Sequence, residues 1–387
     1  MEISPALHDL RTEFMRCGHD IRIVGGAVRD FLLGEVPKDI DLCTDATPDE
    51  QMALYAELGL RFIPTGLQHG TVTVLLDGEP MEITTLRTEE DHDGRHATVR
   101  YTRDWAEDMG RRDLTVNAMA MTFDGTLIDP FGGKDDLLNR RIRFVGTPEA
   151  RMREDYLRVL RWLRFHARLA GNAPLDAAAS QAAIDTGSGL AGISRERVWS
   201  EVKRMLVNPA GVNALRGLHS FGLFPHVGLP SDGLDWDAAK TASVRTGNPL
   251  SVLAALLRDM GKSVLGANGL PRNWKWSGEE ERLFVLLVTH QHRSDMDGKG
   301  MTARDGMAKD DVVFLLDHVG DADAANELRN WTVLVFPVGG NDLLEAGFKP
   351  GPEMGRMLKS MKERWAASNF TAGLDELLDT KTGLKFP

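Results

Sequence analysis

Two aspartates separated by one residue, Asp39 and Asp41, are the first candidates for chemistry in this sequence. Ile40 and Leu42 alternate with them, so the pattern predicts a strand over 39–43 with both carboxylates on one face. Two carboxylates this close repel each other unless a cation lies between them, and Mg²⁺ suits such oxygen ligands. Paired metal ions stabilise the attacking and leaving oxygens of nucleotidyl transfer. An isolated Asp-x-Asp is more often a polar strand edge. The interpretation as a metal site therefore depends on the neighbouring motifs.

A double glycine precedes the aspartate pair. Gly25 and Gly26 separate a predicted strand, Ile21–Val24, from a predicted short helix, Ala27–Leu33. Glycines allow the backbone to approach a ligand, and the N–H groups at a helix start favour an anion. Arg29, one turn into the helix, adds a charge-assisted donor for phosphate oxygens. A double glycine alone is usually only a turn, but beside the aspartate pair it indicates a triphosphate site.

Glu82 is the candidate for a third carboxylate. It lies on a predicted strand, Met81–Thr85, which forms a hairpin with Thr71–Leu76 around Asp77-Gly78. We expect this strand to lie beside the strand of the aspartate pair, which would bring Glu82 close to the metals or to their ligands. An exposed glutamate with no such role is an equal alternative.

Further along, Asp155, Arg158, Arg161 and Arg164 recur at intervals of three, which on one helix places them in a contiguous stripe. An aspartate beside an arginine offers acceptors together with a rigid donor fork. That pair matches the edge of cytosine, and equally that of adenine, if Asp155 accepts from the exocyclic amine and Arg158 donates to the ring. Uracil and guanine would need a donor and an acceptor reversed. A ladder of salt bridges within the helix is the structural alternative.

The elements that must position these residues change character near Thr147. Up to that point short strands and turn signals alternate, and beyond it long helical patterns dominate, so we predict an α/β (mixed) head followed by an all-α remainder. The charged, glycine-containing stretch 88–100 is predicted to be a mobile loop. Other predicted elements are a capping box at Thr47–Glu50, a hairpin around Asp124-Gly125, and helices over Asp155–Leu169 and Glu196–Leu206.

Composition excludes several classes of protein. A length of 387 residues with 42% hydrophobic content predicts about two to three domains. No apolar run approaches the roughly 20 residues of a membrane span, and Met1–Leu10 lacks the hydrophobic core of a secretion signal. Cys17 and Cys43 alone provide neither a disulfide framework nor a zinc site. We therefore predict a cytoplasmic protein with no membrane partner.

Charge is distributed unevenly. The net charge is −11, although a generic nucleic-acid binder is usually basic. The segment 140–168 nevertheless holds nine arginines against three carboxylates, a net charge of +6. This segment is a candidate surface for a polyanion, and a set of solvated helix faces is an equal alternative.

These motifs together resemble a known family. Ile23–Asp30, with Leu33-Gly34 and Asp39-Ile40-Asp41, resembles the signature motif of class II CCA-adding tRNA nucleotidyltransferases and bacterial poly(A) polymerases. Further family-like segments follow in the expected order, so that the resemblance covers about residues 20–206. They are RRDLTVNA at 111–118, DPFGG at 129–133, EDYLRVLR at 154–161 and ISRER at 193–197.

The resemblance implies template-independent addition of C, C and A to the 3′ end of tRNA, using CTP, ATP and Mg²⁺. It implies a nucleotidyltransferase head of the polymerase-β type over 1–147, a neck over 148–209, a body over 210–330 and a tRNA-binding tail over 331–387. Asp39 and Asp41 would hold the metals, with Glu82 as a further catalytic candidate. The residues implied to bind the nucleotide are Gly26, Arg29, Arg112, Asp155, Arg158, Arg161 and Arg164.

Two segments depart from the family pattern. Leu256–Lys262 is similar to the L-L-H-D-x-G-K run of metal-dependent phosphohydrolases seen in some relatives, but Arg258 replaces the histidine and cannot bind a metal. His290 and His292 are therefore interpreted as structural, and no hydrolase activity is expected. In the tail, only Gly347–Gly355 resembles the family.

The loop before the RRD motif bears on specificity. Asp93–His96 with Val99–Tyr101 resembles the loop that CC-only adders are thought to lack, which favours full CCA addition. The basic stretch usual after the neck of poly(A) polymerases is not found. A poly(A) polymerase, a CC- or A-adding enzyme, and an RNA-binding protein with an inactive head are the alternatives.

Overall fold

The computed structural model describes residues 3–37, 39–92, 97–265, 269–290, 297–319, 321–347 and 349–378. Two compact units divide the chain, one of Met1–Met205 with Asn213–Ser231, the other of Leu206–Val212 with Asp232–Pro387. The strands are β1 Ile21–Val24, β2 Leu42–Thr44, β3 Phe62–Gly66, β4 Thr71–Leu76, β5 Glu79–Thr85, β6 Arg87–His92, β7 Ala97–Tyr101, β8 Ala120–Met121 and β9 Leu127–Ile128.

Helices make up most of the remaining chain. The first eleven are α1 Pro5–Arg16, α2 Gly26–Leu32, α3 Pro48–Glu57, α4 Trp105–Gly110, α5 Gly133–Leu138, α6 Pro148–Glu154, α7 Leu157–Phe165, α8 Ala177–Thr186, α9 Arg195–Leu206, α10 Pro209–Ser220 and α11 Phe224–Val227. The others are α12 Trp236–Arg245, α13 Pro249–Leu256, α14 Leu270–Asn273, α15 Gly278–His290, α16 Gly298–Ala303, α17 Lys309–Val319, α18 Ala322–Asn330, α19 Gly340–Glu345, α20 Pro352–Ala367 and α21 Leu374–Leu378.

A mixed seven-stranded sheet, in the order β3-β4-β5-β2-β1-β8-β9, forms the framework of the first unit. β2 and β5 run parallel, whereas β1 pairs antiparallel with both β2 and β8. The predicted neighbourhood of the Glu82 strand and the strand of the aspartate pair is thereby confirmed. A mixed-sheet head followed by a largely helical chain also confirms the predicted fold class.

Alternate residues of the central strands face two different cores, as the period of a strand requires. Ile21, Ile23 and Leu42 pack with residues of α1 and α3. Val24 and Cys43 point to the opposite face, where α4 contributes to a smaller core. Asp41 lies two residues before Cys43, so the sheet directs it toward the face covered by α4 and the chain that follows it.

Most short-range predictions for this unit are confirmed. Thr47 and Glu50 form the predicted capping box at the start of α3. The hairpin around Asp77-Gly78 is present as β4 and β5. The prediction of a loop over 88–100 is wrong for the described residues 88–92 and 97–100, because β6 and β7 pair antiparallel there. Asp93–His96, which carried the argument for full CCA addition, lies outside the described residues.

The second unit is helical. Its tail end packs around Leu343, Met361, Trp365 and Phe370. Among the described residues, no helix is long and apolar enough to cross a membrane.

Arg258, which replaces the histidine of the hydrolase-like run, carries an ion pair to Asp235 at 2.5 Å and one to Asp259 at 3.3 Å. A guanidinium thus lies among the carboxylates of this segment. His292 and the side chain of His290 lie outside the described residues, and the absence of hydrolase activity stays a prediction.

Candidate active site

The turn between β1 and α2 requires glycine at its first position. Gly25 has φ 69° and ψ −126°, a conformation that other residues rarely adopt. A Cβ atom there would also lie 2.7 Å from Nη1 of Arg112. The turn therefore brings the backbone directly against an arginine of the RRD motif.

Gly26 is different, because packing does not require it to be a glycine. A Cβ atom at Gly26 would meet nothing closer than Nη2 of Arg29, at an ordinary contact distance of 3.5 Å. Its missing side chain keeps space open in front of Arg29. This is what close approach of a ligand to the backbone would need.

Arg29 is buried, with an exposed fraction of 5%. It donates to Asp30 at 2.9 Å and to Oδ1 of Asn117 at 2.5 Å, and its guanidinium carbon lies 5.0 Å from the ring centre of Phe165. Burial lowers the pKa of Arg29; Asp30 opposes this shift, and the nearby Arg168 and Arg164 add to it. An arginine stays charged even so, which places a fixed cation behind the glycine turn.

Asp41 lies directly opposite this turn. Its carbonyl accepts from the N–H of Val24 at 3.0 Å, which extends the β1–β2 pairing by one residue. The prediction of a strand over 39–43 is wrong at its start, because β2 begins at Leu42 and both aspartates precede it. Val24 and Asp41 pair without continuing into a regular ladder, since the chain bends at Asp39.

Glu82 belongs to the same face as Asp41. Leu42 is in register with Ile83 on the parallel strand β5, so the residue before each, Asp41 and Glu82, also lie side by side. Partial burial of its carboxyl raises the pKa of Asp41; Arg112 opposes this shift, and Asp39 and Glu82 add to it. Asp39 and Glu82 are therefore both close enough to Asp41 to disfavour its negative charge.

A divalent cation would relieve that repulsion, and carboxylate oxygens are the ligands that Mg²⁺ prefers. The donor set thus fits a metal that is also held by substrate phosphates. Within the described ranges, however, no three acidic, histidine or cysteine side chains come together as a ready-made metal cage. A phosphate-bridged metal is the kind of site that this arrangement suits.

The glycine turn, Arg29 and Asp41 share one cleft of about 520 Å³. Asp39, Glu82 and Arg164 are not part of its wall. The residues that line the cleft are Gly25, Gly26, Arg29, Asp41, Arg111, Arg112, Asp113, Asn117, Asp155, Leu157, Arg158, Arg161, Phe165 and Arg197.

The RRD motif supplies one side of the cleft. Asp108, with an exposed fraction of 1%, accepts from Arg111 at 2.8 Å and from Arg112 at 3.3 Å. Nε of Arg112 is buried and has no hydrogen-bond partner. A buried donor without a partner is costly unless a ligand satisfies it, so this atom is suited to an anionic ligand.

The predicted nucleotide-selecting helix is broken at its start. Asp155 was expected on one helix with the three arginines, but it lies in an extended conformation (φ −151°, ψ 106°) between α6 and α7. There it accepts from the N–H of Leu157 at 3.0 Å and from Arg197 at 2.7 Å. Only Arg158, among the residues implied to read the base, is on α7.

The three arginines of α7 point to different partners. Arg158 pairs with Glu154, and Arg161 donates to Asp113 at 2.6 Å. Arg164 instead pairs with Glu201 of α9. The structure therefore brings Arg158 and Arg161 to the cleft and leaves Arg164 beside it.

Several cleft residues were not singled out from the sequence as site residues. Asp113 and Asn117 stand in the RRD-x-T-x-NA motif, and Arg197 in the ISRER motif, so both motifs contained the signal. Phe165 follows Arg164 and carries no polar group. Only the structure indicates a role for Phe165, because its ring packs against arginines of two elements.

A mixed sheet with a glycine turn facing carboxylates defines a nucleotidyltransferase head. Residues 21–143 match the family described as the poly A polymerase head domain, and residues 176–230 match the probable RNA and SrmB-binding site of polymerase A. The chain is 40% identical over 387 residues to a CCA tRNA nucleotidyltransferase 1, mitochondrial, of Danio rerio, covering 95% of this chain and 88% of that protein. The chain belongs to the family of CCA tRNA nucleotidyltransferases.

Two further comparisons extend over nearly the whole chain. A CCA-adding enzyme of Bacillus cereus is 31% identical over 379 residues, which cover 91% of each protein. The crystal structure of the Bacillus stearothermophilus CCA-adding enzyme in complex with CTP is 28% identical, with a TM-score of 0.68, over 95% of this chain and 94% of that one.

Proposed function

We propose that this protein adds C, C and A to the 3′ end of tRNA, taking CTP and ATP as substrates. The observation that carries the proposal is the shared cleft, whose wall includes Gly26 and Arg29, Asp41, and the pair Asp155 and Arg158. Membership of the CCA tRNA nucleotidyltransferase family supports the same reaction.

In the proposed reaction, the 3′-hydroxyl oxygen of the RNA attacks the α-phosphorus of the nucleotide. A new P–O bond forms, the bond from the α-phosphorus to the oxygen bridging to the β-phosphate breaks, and pyrophosphate leaves. Nucleotidyl transfer in this family depends on a divalent metal; we propose Mg²⁺, which supplies charge neutralisation at the attacking and leaving oxygens. Asp39 and Asp41 would hold it, with Glu82 on the neighbouring strand as a further candidate.

Arginines of the cleft position the triphosphate. Arg29 lies behind the open space at Gly26, and Arg112, whose buried Nε has no hydrogen-bond partner, also lines the cleft. Arg161, held by Asp113, adds a third cation from α7. Fixed positive charge at the phosphates stabilises the charge that develops in the transition state. Arg164 retains its proposed role only if its pairing with Glu201 exchanges for a phosphate.

Asp155 and Arg158 are proposed to read the base. Each carboxylate oxygen of Asp155 already accepts one hydrogen bond, from Leu157 or from Arg197, and keeps a lone pair for an exocyclic amine. Arg158 supplies donors to the ring. Replacing Arg158 by lysine should widen the choice among the four nucleotides more than it raises the KM for CTP. Unchanged selectivity would contradict the assignment.

The tail is proposed to contact tRNA, and a groove in the second unit supports this. The groove has a volume of about 690 Å³ and combines apolar residues of 333–338 with three cations. The cations are Arg304, Lys359 and Lys362. Basic residues beside apolar surface suit the phosphates and exposed bases of a nucleic acid.

We also propose a cytoplasmic location. Cys17 and Cys43 are both free thiols, as a reducing compartment maintains them. The Danio rerio relative carries the word mitochondrial in its name, so fractionation of cells that express the full-length protein is the test. Recovery in mitochondria would overturn the proposed location.

The proposed function is tested with three tRNA substrates that lack one, two or three terminal residues. Each is given CTP, ATP or both, with and without Mg²⁺, and the product ends are sequenced. We expect addition that stops at CCA and requires the metal. A long adenosine ladder would identify a poly(A) polymerase, a halt after CC or addition of A alone would identify a partial adder, and no incorporation would leave an RNA-binding protein.

A further inference from the structure

Among the described residues that line the cleft, Phe165 is the only aromatic one. It ends α7, and its exposed fraction is 6%. Three guanidinium groups lie around its ring, with their carbons at 5.0 Å for Arg29, 5.8 Å for Arg161 and 4.3 Å for Arg164. All three distances are within the range of cation–π attraction.

These arginines come from two different elements and repel one another. Arg29 belongs to α2 beside the glycine turn, whereas Arg161 and Arg164 belong to α7. Each has one acidic partner at its own end, namely Asp30, Asp113 and Glu201 respectively. Asp30 and Glu201 belong to separate segments, whereas Asp113 accepts from Asn117, which in turn accepts from Arg29, so a polar chain also links Arg29 to Arg161. The ring of Phe165 is the group common to all three arginines.

We propose that Phe165 is a positioning residue for nucleotide binding, because its ring holds the cations of α2 and α7 at the spacing that the triphosphate requires. The negative face of the ring offsets the repulsion between guanidinium groups, and its bulk keeps water from separating them. Phe165 itself carries no group that reacts with the substrate. This inference depends on the proposed function, since it assigns the cleft to a nucleoside triphosphate.

The charge distribution of the Phe165 ring and its volume can be tested separately. Replacing Phe165 by leucine keeps an apolar side chain but removes the aromatic face. We expect the KM for both CTP and ATP to rise about tenfold, with a smaller fall in kcat and the order of addition preserved. A side chain that only fills the core would instead lower the melting temperature and leave the KM unchanged.

A fluorinated series gives the sharper test, because it changes the ring's charge distribution with little change in shape. Phenylalanine at position 165 is replaced by its mono-, di- and trifluoro derivatives, and CTP affinity is measured by calorimetry beside the KM. Affinity should fall stepwise with each fluorine. Phe144 is the matched control, since it is buried in the same unit and its ring packs against Trp162. The same series at Phe144 should leave affinity unchanged.

The two proposals fail in different ways. If wild-type protein binds CTP but the series at Phe165 gives a flat response, the positioning role is wrong and the proposed function stands. If wild-type protein neither binds CTP nor extends tRNA, the proposed function itself is wrong, and the positioning role falls with it. Equal losses of affinity in the Phe165 and Phe144 series would also overturn the inference, because they would show a general effect of fluorine on the fold.

Discussion

At the scale of single residues, the two glycines of the turn have separate reasons to be glycine. Gly25 is required by the protein itself, through its positive φ and the closeness of Arg112. Gly26 is free of both constraints, so we infer that its lack of a side chain serves ligand binding. Of these two adjacent residues, Gly25 is therefore needed for folding and Gly26 is proposed to be needed for binding.

Replacing Gly25 by alanine should lower the free energy of unfolding by about 1–3 kcal/mol, the usual cost of a strained backbone. Replacing Gly26 by alanine should leave that free energy unchanged or raise it by up to about 1 kcal/mol, because alanine favours a helix. The same Gly26 variant should raise the KM for CTP, since a methyl group would occupy the space before Arg29. Urea denaturation and initial rates measure the two effects. A Gly26 variant with wild-type KM would contradict the proposed triphosphate site.

The sequence indicates which residues form the site better than it predicts where each of them lies in the fold. Asp39, Asp41, Gly26 and Arg29 could be selected from the sequence because their chemistry is unusual in that spacing. The repulsion that links Asp41 to Glu82 depends on a parallel strand pairing, which a local pattern predicts only as a neighbourhood. Phe165 could not be selected at all, since a phenylalanine in a helix is ordinarily a core residue.

At the scale of elements, the sequence predicted strands and turns well where glycine and capping signals were strong. It failed where tertiary contacts overrode periodicity. The interval of three in Asp155–Arg164 predicts one helix, but the side chain of Asp155 bonds to the N–H of Leu157 and to Arg197, which ends one helix and starts another. In the same way, pairing between β6 and β7 orders a charged segment whose composition suggested a loop.

The helix α7 continues into a π-helical segment, His166–Ala170, that ends at Gly171. Such segments are uncommon and often lie at functional sites. Here the segment places Arg168 against Asp30 and Glu35, at 3.0 and 2.8 Å. It therefore connects the end of α7 to the chain that leads from α2 to Asp41.

His166 makes the stability of this segment sensitive to pH. Burial lowers its pKa from the ordinary 6.5, and its Nε2 contacts the carbonyl of Ala173 at 2.8 Å. The unfolded chain then binds the proton more readily, so the stabilisation from neutral His166 is present above pH 6.5 and is lost as the pH falls below it. His166→Gln should weaken the dependence of the unfolding free energy on pH between about 5 and 7.5.

Denaturant titrations at several pH values measure this difference. His8→Gln is the control, because His8 is exposed, and this variant should keep the wild-type dependence. If the unfolding free energy of His166→Gln depends on pH as that of the wild type does, the buried neutral histidine does not contribute to this dependence.

At the scale of the whole molecule, an acidic protein is proposed to bind an acidic substrate. The net charge of −11 is compatible with this because the cations are concentrated, in the cleft of the first unit and in the groove of the second. Local positive surface determines contact with a polyanion, whereas net charge acts mainly on solubility and on long-range approach.

Reversing the charges of Lys359 and Lys362 to glutamate should weaken tRNA binding about tenfold or more at low salt and reduce its salt dependence. The KM for CTP, measured with saturating tRNA, should remain unchanged, because these lysines do not line the cleft. Filter binding at several salt concentrations measures the slope. Lys240→Glu is the control for a change of charge in the same unit, as Lys240 is exposed and outside the groove. Equal effects of the two variants would contradict a tRNA contact at the groove.

Asp41 and the glycine turn are proposed to enclose one site of nucleotidyl transfer to the 3′ end of tRNA. The most direct measurement is incorporation of radiolabelled CMP into tRNA that lacks its terminal CCA, by wild-type protein, Asp41→Ala, and the control Asp49→Ala, which removes an exposed carboxylate from the first turn of α3. We predict incorporation by wild type and by the control, and a loss of at least about a thousandfold in Asp41→Ala with tRNA binding retained. Wild-type turnover by Asp41→Ala would show that this cleft is not the site of nucleotidyl transfer.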